Sequence, residues 1–197
     1  DLETVGNAQI STAQSKFGGG SMYFDGTGDR LVGRNTPNLN FGSGDWTVEF
    51  WIYATDQALG PIVNQCSQSG SAGWGIWAYN GASGTSRKLT VFLNGAGFSL
   101  TTSADAWASN TWTHIAVVKS GTNLTVYSNG TSAASSSSAP ATLTDTTAPP
   151  MVGAVVSGVN WGVSYDFTGY IDDLRITKGY ARYTSSFTPQ RSQWQDQ

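Results

Sequence analysis

The sequence predicts an all-β fold, a two-sheet antiparallel sandwich, and three observations carry that expectation. Helical periodicity is nearly absent, while short strand-like runs recur between turn residues. Gly, Ser and Thr abound, only 12% of residues are charged, and eight Trp, eight Tyr and eight Phe supply the large apolar side chains. The chain has 197 residues, a length at which a sandwich folds as one unit around one core.

The elements follow in order. Ser21–Asp25 is a short strand closed by the Gly26-Thr27-Gly28-Asp29 turn, and Arg30–Val32 continues after it. Trp46–Tyr53 is the clearest strand, with Trp46, Val48, Phe50 and Ile52 on one face and Thr47, Glu49, Trp51 and Tyr53 on the other. Aromatic residues on both faces make it a central strand with its second face at least partly covered. Pro61–Gln65 and Trp74–Tyr79 follow across a Ser/Gly loop. Lys88–Asn94 and Gly97–Thr102 form a hairpin around Asn94-Gly95-Ala96, since Asn-Gly suits the tight turns that join antiparallel strands. Thr111–Lys119 and Asn123–Ser128 form a second hairpin, and Asn129-Gly130 is a further turn. The Ser-, Ala-, Thr- and Pro-rich stretch Ser132–Pro150 reads as a surface loop with at most one strand, and strands resume at Met151–Val156.

Phe167–Thr177 is the last long strand. Ile171 and Ile176 are an odd number of positions apart, so the apolar phase slips across Asp172-Asp173. A one-residue slip is the signature of a β-bulge. Gly179–Ser186 is expected to form a single helical turn. The count is about ten to fourteen strands.

Several separated segments together resemble one family. Gly42–Ile52 resembles the strand "F/W-T-hydrophobic-E-F-W" of laminin G-like domains, and Asn110–Val118 their "W-x-H-hydrophobic-A" strand. Asn123–Gly130, Gly169–Ile176 and Phe17–Asp25 are similar to further strands of the same group. The resemblance implies a concanavalin A-like jelly roll over residues 15–190, with residues 1–14 an N-terminal extension and 191–197 a C-terminal tail. Lys178–Pro189 also resembles tails of such domains in bacteriophage virion proteins. The superfamily holds lectins, adhesion modules and some glycosidases, so function has to be argued from sites.

Catalysis is not expected. Glycoside hydrolysis needs two carboxylates flanking one bond on one face. This chain has two Glu, Glu3 and Glu49, and adjacent Asp172 and Asp173 would point to opposite faces of a regular strand. Glu49 reads as a strand residue satisfied by its neighbours. His114 and Cys66 are the sole His and Cys, too few for the usual zinc ligand sets, and His114 reads as structural.

Calcium is the metal expected, because it takes oxygen ligands. Asp25 and Asp29 bracket a tight turn, and Asp172 and Asp173 lie in the last strand. In laminin G-like jelly rolls the first and last strands are often neighbours, which would let Asp25 and Asp172 converge on one ion. The plainer alternative is turn capping and bulge hydrogen bonds.

For a glycan, the expected contacts are Trp77, Tyr79, Asn80, Asn160, Trp161 and Tyr165, aromatic platforms with amide neighbours in Gly/Ser-rich surroundings. Ordinary packing is the competing account of the same aromatics. The net charge of −3 argues against nucleic acid, which requires a basic face, and membrane insertion is not expected, as no apolar run is long enough to span a bilayer. The chain begins at Asp1 with neither Met nor signal peptide and reads as a piece of a longer extracellular or virion protein. The expected partner is a glycan or a cell-surface or virion protein. The alternative function is a structural domain of a virion, capsid-decorating or in a tail fibre.

Overall fold

The computed structural model describes residues 2–34, 37–55, 58–67, 69–78, 87–155 and 166–193. They form two antiparallel sheets of seven strands each. In sheet order the first comprises β1 (Leu2–Val5), β4 (Arg30–Gly33), β13 (Met151–Val152), β6 (Gly60–Cys66), β7 (Gly73–Ala78), β8 (Leu89–Leu93) and β9 (Phe98–Thr101). The second comprises β12 (Thr131–Ser136), β11 (Asn123–Ser128), β10 (Thr113–Ser120), β5 (Trp46–Tyr53), β14 (Thr168–Lys178), β3 (Ser21–Asp25) and β2 (Gln9–Ser11). The expected sandwich is present.

Alternation along β5 sets the inside and the outside. Val48, Phe50 and Ile52 face the first sheet and are fully buried, opposite inner-face residues such as Ile76 and Val91. Phe41 stacks between Trp46 and Trp74 at ring separations of 4.7 and 5.1 Å, which fills one end of the core with aromatic area. Trp74 is thus a core residue, as its phase with Ile76 implies.

The other face of β5 carries Thr47, Glu49 and Trp51, and all three are buried too. Two chain segments cover them. Phe17 meets Trp51 edge-on, with the Lys16 ammonium 3.9 Å from the Trp51 ring. On the other side the C-terminal segment lays Ala181, Tyr183 and Phe187 onto Ala116, Val118 and Tyr127. Gly179–Ser186 is therefore not helical; it crosses the sheet as an irregular strap.

One further expectation changes, and two are filled in. Residues 1–14 hold two strands, β1 and β2, which pair with β4 and β3 and so belong to the sandwich rather than to an extension. The Ser-rich stretch begins with a full edge strand, β12. Its small residues give no apolar alternation because an edge strand with a solvated face requires none. The Asn129-Gly130 turn places β12 beside β11, both residues having positive φ (47° and 78°), as a type I′ hairpin demands.

Candidate functional site: a hydroxyl-lined groove beside a buried carboxylate

Glu49 is the organising residue of the covered face. It is fully buried, and three elements supply its partners. Arg175 of β14 donates from Nε (2.9 Å) and from a terminal guanidinium nitrogen (2.6 Å) to Oε1. Tyr183 of the strap donates its hydroxyl to Oε2 at 2.8 Å. His114 of β10 brings Nε2 to 3.4 Å from the same oxygen, and Arg182 Nε lies 3.8 Å from Oε1. Burial pushes the Glu49 carboxyl pKa up, but His114, Arg175 and Tyr183 together hold it below the ordinary value. By distance the Arg175 fork is the strongest of these partners. Tyr183 pays the converse: burial, then its bond to Glu49 and that group's charge, push its hydroxyl up to about 12. Glu49 thus ties the strap to the sheet.

The β14 bulge makes this pairing. Asp172 faces Trp51 and Arg175 faces Glu49, so two residues of β14 oppose Phe50 alone. Asp173 takes φ +51°, a left-handed conformation that Asp tolerates better than most residues. The phase slip expected from Ile171 and Ile176 is present.

The strap also builds one side of a groove. A cavity of about 610 Å³ lies over the outer face of β10, β11 and β12, within the usual range for small-ligand sites. Its floor and far side are Val118, Asn123, Thr125 and Ser135, and Tyr183 and Thr184 form the strap side. Tyr183 is half-buried and stacks face to face on Phe187, with ring centroids 3.5 Å apart and planes 5° from parallel. Among the described residues lining the groove, none carries a charge. Sequence reasoning missed this site. The alternation Asn123, Thr125, Tyr127 along one face of β11 was available as a signal, but the strap's position over it was not.

Of the expected glycan contacts, Trp77 is 1% exposed and meets Phe92 edge-on at 5.6 Å, so it packs rather than presenting a platform. Tyr79, Asn80, Asn160, Trp161 and Tyr165 lie outside the described residues.

The four acidic residues expected around calcium do not share one site. Asp25 pairs with Thr168, which places Asp172 four residues further along β14, roughly 13 Å away at strand rise. Asp172 Oδ2 accepts the backbone N–H groups of Lys16 and Phe17 (2.9 and 3.1 Å), and Asp173 accepts from Gln190 Nε2 at 3.3 Å. Asp29 is fully buried and accepts the N–H groups of Asn7 and Asp25, while Asp25 caps Thr27 N. These are the turn and bulge bonds that were the plainer alternative. The shared ion of Asp25 and Asp172 is thereby corrected: the set does not fit one cation. Among the described residues, no group of three His, Cys, Asp or Glu could hold a metal.

A second concavity, of about 690 Å³, opens between the sheets at the edge formed by the N-terminal strands. Apolar residues of both sheets line it, including Met22, Leu31, Ile171 and Ile176, and at its rim Leu2 and Ile10 are 66% and 78% exposed.

A family model described as the concanavalin A-like lectin/glucanases superfamily matches residues 25–182. No curated protein matches the chain by sequence. Among solved structures, domain 4 of AbnA, an extracellular GH43 arabinanase from Geobacillus stearothermophilus in complex with arabinotriose, is similar with a TM-score of 0.66 and 19% identity, over 91% of this chain and 83% of that one. Domains LG4-5 of the mouse laminin α1 chain give a TM-score of 0.61 and 16% identity, over 96% of this chain and 50% of that one. A structure of botulinum neurotoxin type C, whose cell entry is described as dependent upon interaction with two ganglioside molecules, gives 0.63 and 15%, over 91% and 43%. At these identities the likeness is one of fold. No helix among the described residues is long and apolar enough to cross a membrane.

Proposed function

We propose that this chain, which belongs to the concanavalin A-like lectin/glucanase superfamily, is a non-catalytic module that binds carbohydrate outside the cell, as part of a larger protein. The observation that carries this reading is the groove over β10–β12, whose Asn, Ser, Thr and Tyr side chains match the hydroxyls and C–H faces of a sugar. The arabinotriose held by the arabinanase domain of similar fold makes arabinan a sensible first probe. The non-catalytic part rests on Glu49, which is buried and committed to Arg175 and Tyr183, out of reach of a glycosidic bond. A glycan array read with the purified chain tests the proposal. Binding that Ser135→Trp abolishes supports it, and no binding to any glycan overturns it.

Calcium binding at the turn of Asp25 and Asp29 is a separate proposal, supported by the two carboxylates that this one turn brings together, Asp29 on Asp25 N and Asp25 on Thr27 N. A melting temperature raised by CaCl2 over EDTA, with the rise lost in Asp25→Asn, supports it; coincident curves overturn it.

A second reading, an assembly domain of a virion or other particle that binds a protein chain, is favoured by the exposed Leu2 and Ile10 at the rim of the apolar cleft. Light scattering on a sizing column decides it. A stable oligomer that Leu2→Ser with Ile10→Ser dissociates favours assembly, and a monomer at all concentrations counts against self-assembly.

A further inference from the structure

The groove's ligand class, and the part played by the strap, follow from its walls; this inference rests on the carbohydrate reading. An ionised sugar such as a sialic or uronic acid needs a cationic partner when it leaves water, because an unpaired charge is expensive to desolvate. The groove lining provides none among its described residues. The neighbouring charges are already engaged, Lys119 of β10 being fully buried with its ammonium 3.4 Å from Ala141 O. Asp45, at the end of the groove, holds Ser120 Oγ at 3.1 Å and Gly121 N at 2.8 Å. Arg182 turns its guanidinium to Thr177 Oγ1 at 2.7 Å and toward Glu49. What remains is hydroxyl and amide groups, which exchange hydrogen bonds with neutral hydroxyls on equal terms.

The strap wall is held from three sides. Tyr183 is fixed through its hydroxyl by Glu49 and through its ring by Phe187. Phe187 N in turn donates to Gly130 O at 3.0 Å. A Cβ on Gly130 would stand 1.8 Å from Phe187 O, so the turn between β11 and β12 admits the strap because that residue is glycine. The turn that makes the groove's far strand therefore also seats its near wall.

We propose that this groove takes neutral saccharides and that Tyr183, set by Glu49 and Phe187, is its aromatic platform, with Glu49 a positioning residue that never touches the ligand. A ring held in place before binding loses less entropy when a sugar stacks on it.

The test compares binding of the full chain to neutral polysaccharides (arabinan, galactan, β-glucan) with binding to sialylated and sulfated glycans, alongside hydrogen exchange of residues 181–187. The wild type binds in the neutral class, and ligand slows exchange in the strap. Tyr183→Ala lowers affinity about tenfold, whereas Tyr183→Phe, which keeps the ring but frees it from Glu49, lowers it about threefold and raises strap exchange. Exposed Thr184→Ala and Ser135→Trp, far from the core, serve where a Tyr183 variant misfolds; the first weakens binding a few-fold and the second abolishes it. No glycan binding at all overturns the carbohydrate reading itself. Preference for charged glycans, or neutral binding that leaves strap exchange and the Tyr183 variants unchanged, overturns this inference while leaving that reading intact.

Discussion

Replacing Arg175 by Met removes the main partner of a buried carboxylate while keeping most of the aliphatic bulk. Glu49 is fully buried and loses two guanidinium bonds, at 2.9 and 2.6 Å. Breaking such a pair costs about 3–5 kcal/mol when the remaining charge is sealed from water. Here the arginine side chain is 23% exposed, and Tyr183 and His114 stay beside Glu49, so the cost falls below that range, at about 2–3 kcal/mol at pH 7. For a domain of this size that is a drop of roughly 4–12 °C in melting temperature. The pH dependence is the sharper readout. In the wild type the folded pKa lies below the ordinary value, so ionised Glu49 stabilises above that value and the gain fades as pH falls through the folded pKa. In the variant, burial persists and its strongest counterweight is gone, which makes ionised Glu49 a liability that protonation relieves. The gap between variant and wild type should be widest near neutrality and shrink below about pH 5. Calorimetric melts at pH 4 and pH 7 measure it. Equal gaps at both values, or a variant melting within two degrees or so of the wild type at pH 7, would refute the reasoning.

Other outcomes follow from the same geometry. Asp173→Gly suits φ +51° and changes stability little, trading the Gln190 bond for relief of backbone strain, while Asp173→Val is destabilised by about 1–3 kcal/mol in urea titrations. The Cys66 thiol is fully buried, and burial raises its pKa to about 12; iodoacetamide at pH 8 should leave the native protein unmodified and alkylate it fully in guanidinium. Gly130→Ala should lift the strap, seen as faster exchange across 181–187 and as easier proteolysis there, with the far-UV spectrum unchanged.

Much of the fold was legible because its strongest strands announce themselves. β5 shows apolar residues on both faces, and the structure explains the second set: the strap and the Lys16-Phe17 segment cover it. The bulge was legible because a shifted apolar phase is local information. β12 was legible only as one strand without a position in the Ser-rich stretch, since Ser and Ala at a solvated edge have no pattern to read. The candidate site was harder still. A groove depends on which segment crosses which face, and the strap's course is decided by bonds over long separations, Tyr183 to Glu49 and Phe187 to Gly130. Trp77 illustrates the opposite hazard: a Trp in Gly-rich surroundings looks presented, yet it lies fully packed beside Phe92.

The extra residue in β14 carries a lesson about heredity. Were Asp173 absent, Asp172 would still face Trp51, Leu174 would face Phe50, and Arg175 would still face Glu49. One inserted codon could thus enter this strand without exchanging its two faces. What the insertion adds is a contact to Gln190, next to the Asp172 carboxylate that holds Lys16 and Phe17. Relatives that differ by one residue here can share every partner on either side, and an alignment that spreads the gap elsewhere would misplace the arginine on which the buried carboxylate depends.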